Sequence, residues 1–395
     1  MQQWEEPLTD LTEAVRRLLA EHPPGGSDPT AFLGARFDAG LAWVHFPVGL
    51  GGLAAPRDAQ TEVDRLLAEA GAPGPDPANA IGLGMAAPTL VAHGSPEQQQ
   101  RYLRRLFTGE EIWCQLFSEP GAGSDLAAVA TRAVLDGDTW SVTGQKVWTS
   151  GAHNARRAIL LARTDVDVPK HAGLTYFVVD MTDPGVDVRP LRQITGEAEF
   201  NEVFLTDVRV PDTDRVAAVG HGWRVATETL NNERVAIGAG ADREAGQIGL
   251  VARRWREDPS VRSAAQHDTL MRWWVESEVT RMAGERLRQQ LAVGAPGPES
   301  SAMKLAFARQ AQGITNLMME LAPDEALEHD TWELVRPRSG SFLGRGPGYR
   351  YLRAKGNSIE GGTSEVMRNV VAERVLGLPA DHRPDKGVPF KDVPR

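Results

Sequence analysis

Cys114-Gln115-Leu116-Phe117-Ser118-Glu119-Pro120-Gly121-Ala122-Gly123-Ser124-Asp125, read with Lys146-Val147-Trp148-Thr149-Ser150-Gly151, decides how this chain folds. The first stretch joins a short apolar run to a glycine-rich turn ending in Ser-Asp. The second sets a large indole beside small hydroxyl residues near the end of a strand. Alone, the first is an ordinary loop and the second an ordinary core tryptophan; their pairing, order and separation carry the information. Cys114, the single cysteine, follows an apolar run within a predicted strand. It reads as a small core residue rather than a nucleophile, because free cysteine is commonly buried. One cysteine excludes a disulfide framework and fits a reducing compartment.

Strand signals continue on both sides and predict a compact β-domain over 113–215. Arg132-Ala133-Val134-Leu135 and Trp140-Ser141-Val142-Thr143 flank Asp136-Gly137-Asp138, a hairpin signal. Ile159-Leu160-Leu161-Ala162, Leu174-Thr175-Tyr176-Phe177-Val178-Val179 and Val203-Phe204-Leu205 follow as strands, and Pro211-Asp212 closes the region. Residues 1–112 read as helical. Leu11, Val15, Leu18 and Leu19 share one helix face, which His22-Pro23-Pro24-Gly25-Gly26 brings to a stop. Asp58 to Ala70 is a second amphipathic stretch. Ser95 as N-cap and Pro96 at the first helical position open a third, with Leu103 and Leu106 on its buried side.

Residues 216–380 return to helix. One or two helices run from 223 to 254, and another from 261 to 291 carries Leu270, Trp273, Trp274, Val279 and Met282 as apolar positions. Gly294-Ala295-Pro296-Gly297-Pro298 is a break, and a helix follows over 300–321. Thr363 or Ser364 caps a last helix, with Glu365 in its first turn and Val366, Val370, Val371 and Val375 on one face. A mobile tail is expected over 381–395. Helix, then β, then helix defines an α+β protein: an N-terminal helical domain, a barrel- or sandwich-like middle domain and a C-terminal helical bundle. No Gly-x-Gly-x-x-Gly follows a strand, which argues against a Rossmann nucleotide site.

The length of 395 residues calls for two or three domains. A hydrophobic share of 41% and a charged share of 24% are ordinary for a globular protein. The net charge of −10 argues against nucleic acid as a partner and requires any polyanionic ligand to find a local basic patch. No apolar run is long enough to span a membrane. Met1-Gln2-Gln3-Trp4-Glu5-Glu6 lacks the basic start and apolar core of a signal peptide, so a cytoplasmic location is expected.

The two opening stretches and the three-part plan resemble the acyl-CoA dehydrogenase family. The resemblance runs from His45-Phe46-Pro47 and Gly51-Gly52 to Ala372-Glu373-Arg374-Val375-Leu376-Gly377-Leu378-Pro379. It implies an FAD enzyme that desaturates an acyl-CoA between Cα and Cβ. Such a reaction needs a base for the Cα proton, a polarised thioester carbonyl and a hydride acceptor that no side chain supplies. Around the cofactor the resemblance places Gln115, Phe117, Ser118, Gly123, Ser124, Trp148, Thr149 and Ser150 from the middle domain, and Thr363, Ser364 and Glu365 from the C-terminal one. Amides and a hydroxyl near Phe117 and Ser118 would bind the pyrimidine edge. Trp148 would lie near one face, and the Ser150 hydroxyl would reach N5. Ser124, Asn231, Arg234, Gly361 and Gly362 fall at substrate-side positions. No metal is called for. The implied partners are an electron-transferring flavoprotein and further subunits, as a homodimer, a homotetramer or a heteromer.

Many members of the family carry a glutamate immediately before Gly-Thr-Ser in the C-terminal domain. Here Ser358-Ile359-Glu360-Gly361-Gly362-Thr363-Ser364 puts Gly361 at that place and Glu360 one residue early. The isovaleryl-CoA and long-chain types instead place the base in a Glu-Arg pair on another helix, which Leu230-Asn231-Asn232-Glu233-Arg234 matches. The resemblance therefore assigns the base to Glu233, with Glu360 as the alternative. Burial against acyl chain and flavin would raise its pKa toward neutrality. Arg234 would contact the CoA or acyl side, or fix the helix of Glu233. The thioester oxygen would be polarised by a backbone N–H of the Gly361 region and a ribityl hydroxyl.

Two family segments that hold the adenosine half of FAD are missing. The place of Arg-x-x-Phe-Gly is taken by Ala252-Arg253-Arg254-Trp255-Arg256-Glu257-Asp258-Pro259, and that of Gln-x-x-Gly-Gly by Leu317-Met318-Met319-Glu320-Leu321-Ala322-Pro323-Asp324. Arg253, Arg254 and Arg256 are candidate replacements as charge partners of the pyrophosphate. Two alternatives to a dehydrogenase stay open: a flavin oxidase or monooxygenase of the same superfamily, and a non-catalytic partner subunit of a heteromeric dehydrogenase.

Overall fold

The computed structural model describes residues 5–25, 28–238, 244–293, 297–329, 331–340 and 344–393; the side chains of 5–10, 233–238 and 291–293 lie outside the description. The chain packs as two compact units. One comprises Met1–Arg189, Phe200–Thr229 and Asp385–Arg395, the other Pro190–Glu199 and Leu230–Pro384.

The first unit opens with helices α1 (Glu5–Glu21), α2 (Pro29–Asp38), α3 (Ala59–Glu69), α4 (Ala87–His93) and α5 (Pro96–Thr108). The expected stripe of α1 is buried at Leu11, Val15 and Leu18, against Phe32, Leu41, Val63 and Leu67. Helix α2 escaped the sequence reading because its buried face includes Gly34 and Arg36, which interrupt the apolar period. What starts it is local: the Asp28 carboxylate accepts from the Thr30 amide, and Pro29 takes the first helical position. Helix α5 begins as anticipated, with reciprocal Ser95 and Gln98 bonds forming a capping box, and ends at left-handed Gly109.

Eight strands follow: β1 (Trp113–Leu116), β2 (Arg132–Asp136), β3 (Thr139–Ser150), β4 (Arg157–Arg163), β5 (Leu174–Asp180), β6 (Val186–Pro190), β7 (Phe200–Pro211) and β8 (Arg215–Val216). They form one sheet in the order β6-β7-β3-β2-β4-β5-β8, with β1 added to β4 in parallel. The β2–β3 hairpin turns at left-handed Gly137, where the sequence placed it. Strand β4 is buried along its whole length. Cys114, Leu116, Trp140, Val142, Leu160, Phe177, Val203 and Leu205 make the core. Asn79 fixes the entry to β1: its amide donates to the carbonyls of Leu106 (2.7 Å) and Glu111 (3.2 Å), and its oxygen accepts from the Trp113 N–H (2.8 Å).

Helix α6 (Gly222–Gly238) begins in the first unit. The second unit adds α7 (Gln247–Glu257), α8 (Ala264–Val293), α9 (Ser300–Leu321), α10 (Pro323–Ala326), α11 (Pro347–Ala354) and α12 (Ser364–Arg374). Ile248, Val251, Leu270, Ile314, Leu317 and Leu321 form its core. Part of the expected break at 294–298, residues 294–296, lies outside the described residues. Three expectations need correction. Val279 and Met282 on α8 are 59% exposed each, so that face is not covered by the described residues. On α12 the fully buried residue is Met367; of the expected valine face, Val366, Val370 and Val371 are half-buried and Val375 is exposed. The tail is held rather than mobile at 385–393: Phe390 is buried beneath Arg163, its amide donates to Val168, and Asp385 pairs with Lys170.

His45 gives this fold a pH signature. Its Nε2 accepts from Arg57 Nε at 3.3 Å, so the ring is neutral. Burial, then the Arg57 charge, pushes its pKa from 6.5 down to about 4. Between those values the unfolded chain binds the proton and the native state does not, so stability falls as the pH drops through that window. His45→Gln is expected to flatten this part of the thermal midpoint against pH, measured by scanning calorimetry.

Candidate active site

In the first unit the site residues gather where β1 runs into its glycine turn and β3 ends. Along β3 the side chains of Trp140, Val142 and Lys146 point inward, and Trp148 shares their parity. It does not share their burial. The β3–β7 register slips between Lys146↔Val203 and Thr149↔Asn201, which puts one extra residue on β3. This bulge holds Trp148 in the left-handed region (φ 60), turns it 58% exposed and sends Thr149 inward. The indole rests edge-on against Phe200, with centroids 5.7 Å apart. A tryptophan at such a φ and exposure is not the core residue that its strand position suggests.

The neighbouring groups are polar and partly open. The Val147 amide donates to the Ser118 carbonyl at 2.9 Å, tying the two stretches together. Ser118, Ser150 and Gln115 are half-buried, Gly123 and Ser124 are exposed, and Phe117 is buried edge-on to Tyr176 at 5.8 Å. Thr149 is buried, and its Oγ1 has no hydrogen-bond partner among the described residues. Lys146, to which the sequence assigned no role, is completely buried; burial pushes its pKa down to about 8 against the pull of Glu119. An open indole flanked by two half-open hydroxyls fits a planar, hydrogen-bonding ring system such as isoalloxazine.

In the second unit the segment at 359–363 is a loop that packs on α9 and leads into α12. Gly361 and Gly362 adopt φ 63 and 92, and a Cβ at Gly362 would meet Met367 Cε at 2.5 Å. Lys304, buried on α9, donates to the carbonyls of Asn357 (2.6 Å) and Gly362 (2.7 Å) and so holds the loop from beneath. Thr363 caps α12 through the Val366 amide, with Ser364 and Glu365 in the first turn. The Glu360 carboxylate is engaged: Arg353 lies 3.0 and 3.1 Å away and Asn357 donates at 2.7 Å. Asn231 is half-buried on α6; the side chains of Glu233 and Arg234 lie outside the described residues.

A second set of charges was not anticipated. Glu197 pairs with Arg345 and accepts from Tyr349 at 2.9 Å. Glu199 lies 4.0 Å from Arg353, and burial raises its pKa, with Arg353 opposing and Glu360 and Glu197 adding to the rise. Their partners lie far away in sequence, so no local pattern announces them. Of the arginines proposed for the pyrophosphate, Arg254 is already paired with Glu325 (3.1 Å) and Asp258 (3.5 Å), and Arg253 donates to the Glu244 carbonyl (3.3 Å). Leu317 and Leu321, in place of the second missing segment, serve the core. Among the described residues no cluster of His, Cys, Asp and Glu could hold a metal, and no helix is long and apolar enough to cross a membrane.

The family models for the acyl-CoA dehydrogenase N-terminal, middle and C-terminal domains match residues 11–110, 114–208 and 220–376. The chain belongs to the acyl-CoA dehydrogenase family, a family of flavoprotein oxidoreductases. It is 40% identical over 318 residues to the acyl-CoA dehydrogenase IpdE1 of Mycobacterium tuberculosis, covering 78% of this chain and 77% of that protein. It is 44% identical over 345 residues to the acyl-CoA dehydrogenase FadE34 of the same organism, covering 87% of this chain but only 45% of that relative's length. Among solved structures, one from the ChsE4–ChsE5 complex of Mycobacterium tuberculosis superposes with a TM-score of 0.70 at 28% identity, covering 96% of this chain and 99% of that one.

The Glu360 carboxylate, tied to Arg353 and Asn357, supports the loop. Glu360→Gln is expected to cost about 1 kcal/mol, since the pair is part-exposed and Arg353 keeps Glu199. Urea unfolding checks the cost, and turnover should stay within about threefold of wild type, less than RT ln 10 of barrier.

Proposed function

We propose that this chain is an FAD-dependent acyl-CoA dehydrogenase that forms a 2-enoyl-CoA, with Glu233 as base, an electron-transferring flavoprotein as acceptor and a cytoplasmic location. The observation that carries the reading is the exposed, left-handed Trp148 between Ser118 and Ser150. Bound FAD would supply the hydride acceptor. The chain's own residues do the rest. Phe117 and Ser118 would orient the ring's polar edge, Trp148 would cover it from water, and Ser150 would donate near N5. Thr149, with Gln115, Gly123 and Ser124, would line the pocket in the first unit; Thr363, Ser364 and Glu365 are the cofactor-binding residues that the family resemblance implies in the C-terminal domain. The family resemblance implies a substrate-side role for Ser124 and, separately, for Asn231 and Arg234. Gly361, with no side chain at the alternative base position, leaves room for the acyl group, and a backbone N–H of the Gly361–Gly362 turn would polarise the thioester. The division into domains 1–112, 113–215 and 216–380 with a tail from 381 belongs to the same reading.

A heteromer is the second reading, and two features favour it. The adenosine-side segments are absent, and Arg254, a substitute for them, is already paired. In addition Met271, Val275, Val279 and Met282 form an exposed apolar stripe along α8 at helical spacing, a face that another subunit would cover. A second copy of the chain or a related subunit could each provide that cover.

Anaerobic addition of a matching acyl-CoA to the purified protein is expected to bleach the flavin absorbance. Glu233→Gln should lower turnover about 10³-fold, within the range for loss of a general base, and keep the flavin spectrum. Full activity in that variant, or no bleaching with straight, branched or ring-bearing acyl-CoAs, overturns the dehydrogenase reading. Absence of a flavin peak even after FAD is added favours the partner-subunit reading instead.

A further inference from the structure

Lys146 and Glu119 lie beneath the flavin-facing groups, and none of the steps above uses them. Lys146 Nζ donates to three acceptors on three segments: the Phe117 carbonyl (2.9 Å), the Leu161 carbonyl on β4 (2.8 Å) and Glu119 Oε1 (2.8 Å). An ammonium has three protons, so all of them are used. Glu119 is satisfied in turn, because its Oε1 accepts from the Thr131 amide (2.9 Å) and its Oε2 from the Ala130 amide (2.7 Å). As a source of stability alone, such a pair is a poor choice, since an apolar pair of similar volume does as well or better. What an apolar pair cannot do is aim a peptide group.

The peptide joining Phe117 to Ser118 is planar and trans, so its carbonyl and its N–H point in opposite directions. Lys146 draws the Phe117 carbonyl inward and thereby directs the Ser118 N–H away from the core. The next carbonyl, that of Ser118, is bound by the Val147 amide, the residue after Lys146 on β3. One side chain thus orients the turn after β1 and sets where β3 stands just before the bulge at Trp148.

We infer that Lys146 and Glu119 are positioning residues for the flavin's polar edge. They hold the Phe117–Ser118 peptide so that its N–H and the Ser118 hydroxyl face the ring, and they keep Trp148 at its place beside it. This rests on the flavin reading above.

The test uses the full chain as wild type, Lys146→Met, Glu119→Gln and the double variant K146M/E119Q. Lys146→Met leaves Glu119 buried without its cation and lowers the thermal midpoint; the double variant recovers it. In the recovered double variant, amide exchange of the apoprotein over 117–119 and 147–150 is expected to rise about 10-fold, and the FAD dissociation constant, read by flavin fluorescence, about 10-fold. Should the double variant not fold, Glu119→Gln, which keeps the side-chain shape, is read by the same two measurements. Wild-type exchange and wild-type FAD affinity in a folded variant overturn the positioning role and leave the flavin reading standing. No FAD binding by the wild-type protein overturns the flavin reading, and the positioning role with it.

Discussion

A single buried ammonium organises the middle of this protein. Lys146 is wholly removed from water and satisfied by two main-chain carbonyls and one carboxylate. Desolvating a charge costs several kcal/mol unless every donor is met, so the turn after β1, strand β4 and the Glu119 hook must all be in place at once. The glycine turn that follows β1 is therefore not a loose connection. It begins at a point fixed from inside, and its exposed residues, Gly123 and Ser124, extend from that anchor.

The second unit solves a similar problem with more charges. Glu197 and Glu199 arrive on a short segment after β6 and meet Arg345, Tyr349 and Arg353 from around α11. Arg353 is shared between Glu199 and Glu360, so the segment after β6 and the glycine loop before α12 are tied to the same guanidinium. Lys304 holds the same loop through the Gly362 carbonyl. The loop that the family resemblance associates with the substrate is fixed by two cations, Arg353 and Lys304, while its two left-handed glycines present no side chain at 361 and 362.

Much of this was legible in the sequence. Strands with strong apolar alternation, the Gly137 hairpin, and helix starts with good caps such as Ser95 and Thr363 came through because the signal lies within a few residues. Helix α2 did not, because its cap is local but its buried face is chemically mixed. The orientation of Trp148 was hidden for a different reason. A bulge changes side-chain parity through a slip against a strand more than fifty residues away, and nothing in Lys146-Val147-Trp148-Thr149 encodes it alone. The roles of Lys146, Glu119, Glu197 and Glu199 were likewise invisible. The partners that define them are carbonyls and arginines brought close only by the fold.

The division of the chain into its two units carries a last consequence. The backbone passes from one unit to the other after Arg189, Glu199, Thr229 and Pro384. Neither unit is a continuous stretch of sequence, and the final passage is secured by Phe390 beneath Arg163. A single peptide cleavage therefore cannot release either body, and neither can be produced by simple truncation. Each body is assembled from separated stretches of one chain, so a change in the length of any crossing segment is felt by both.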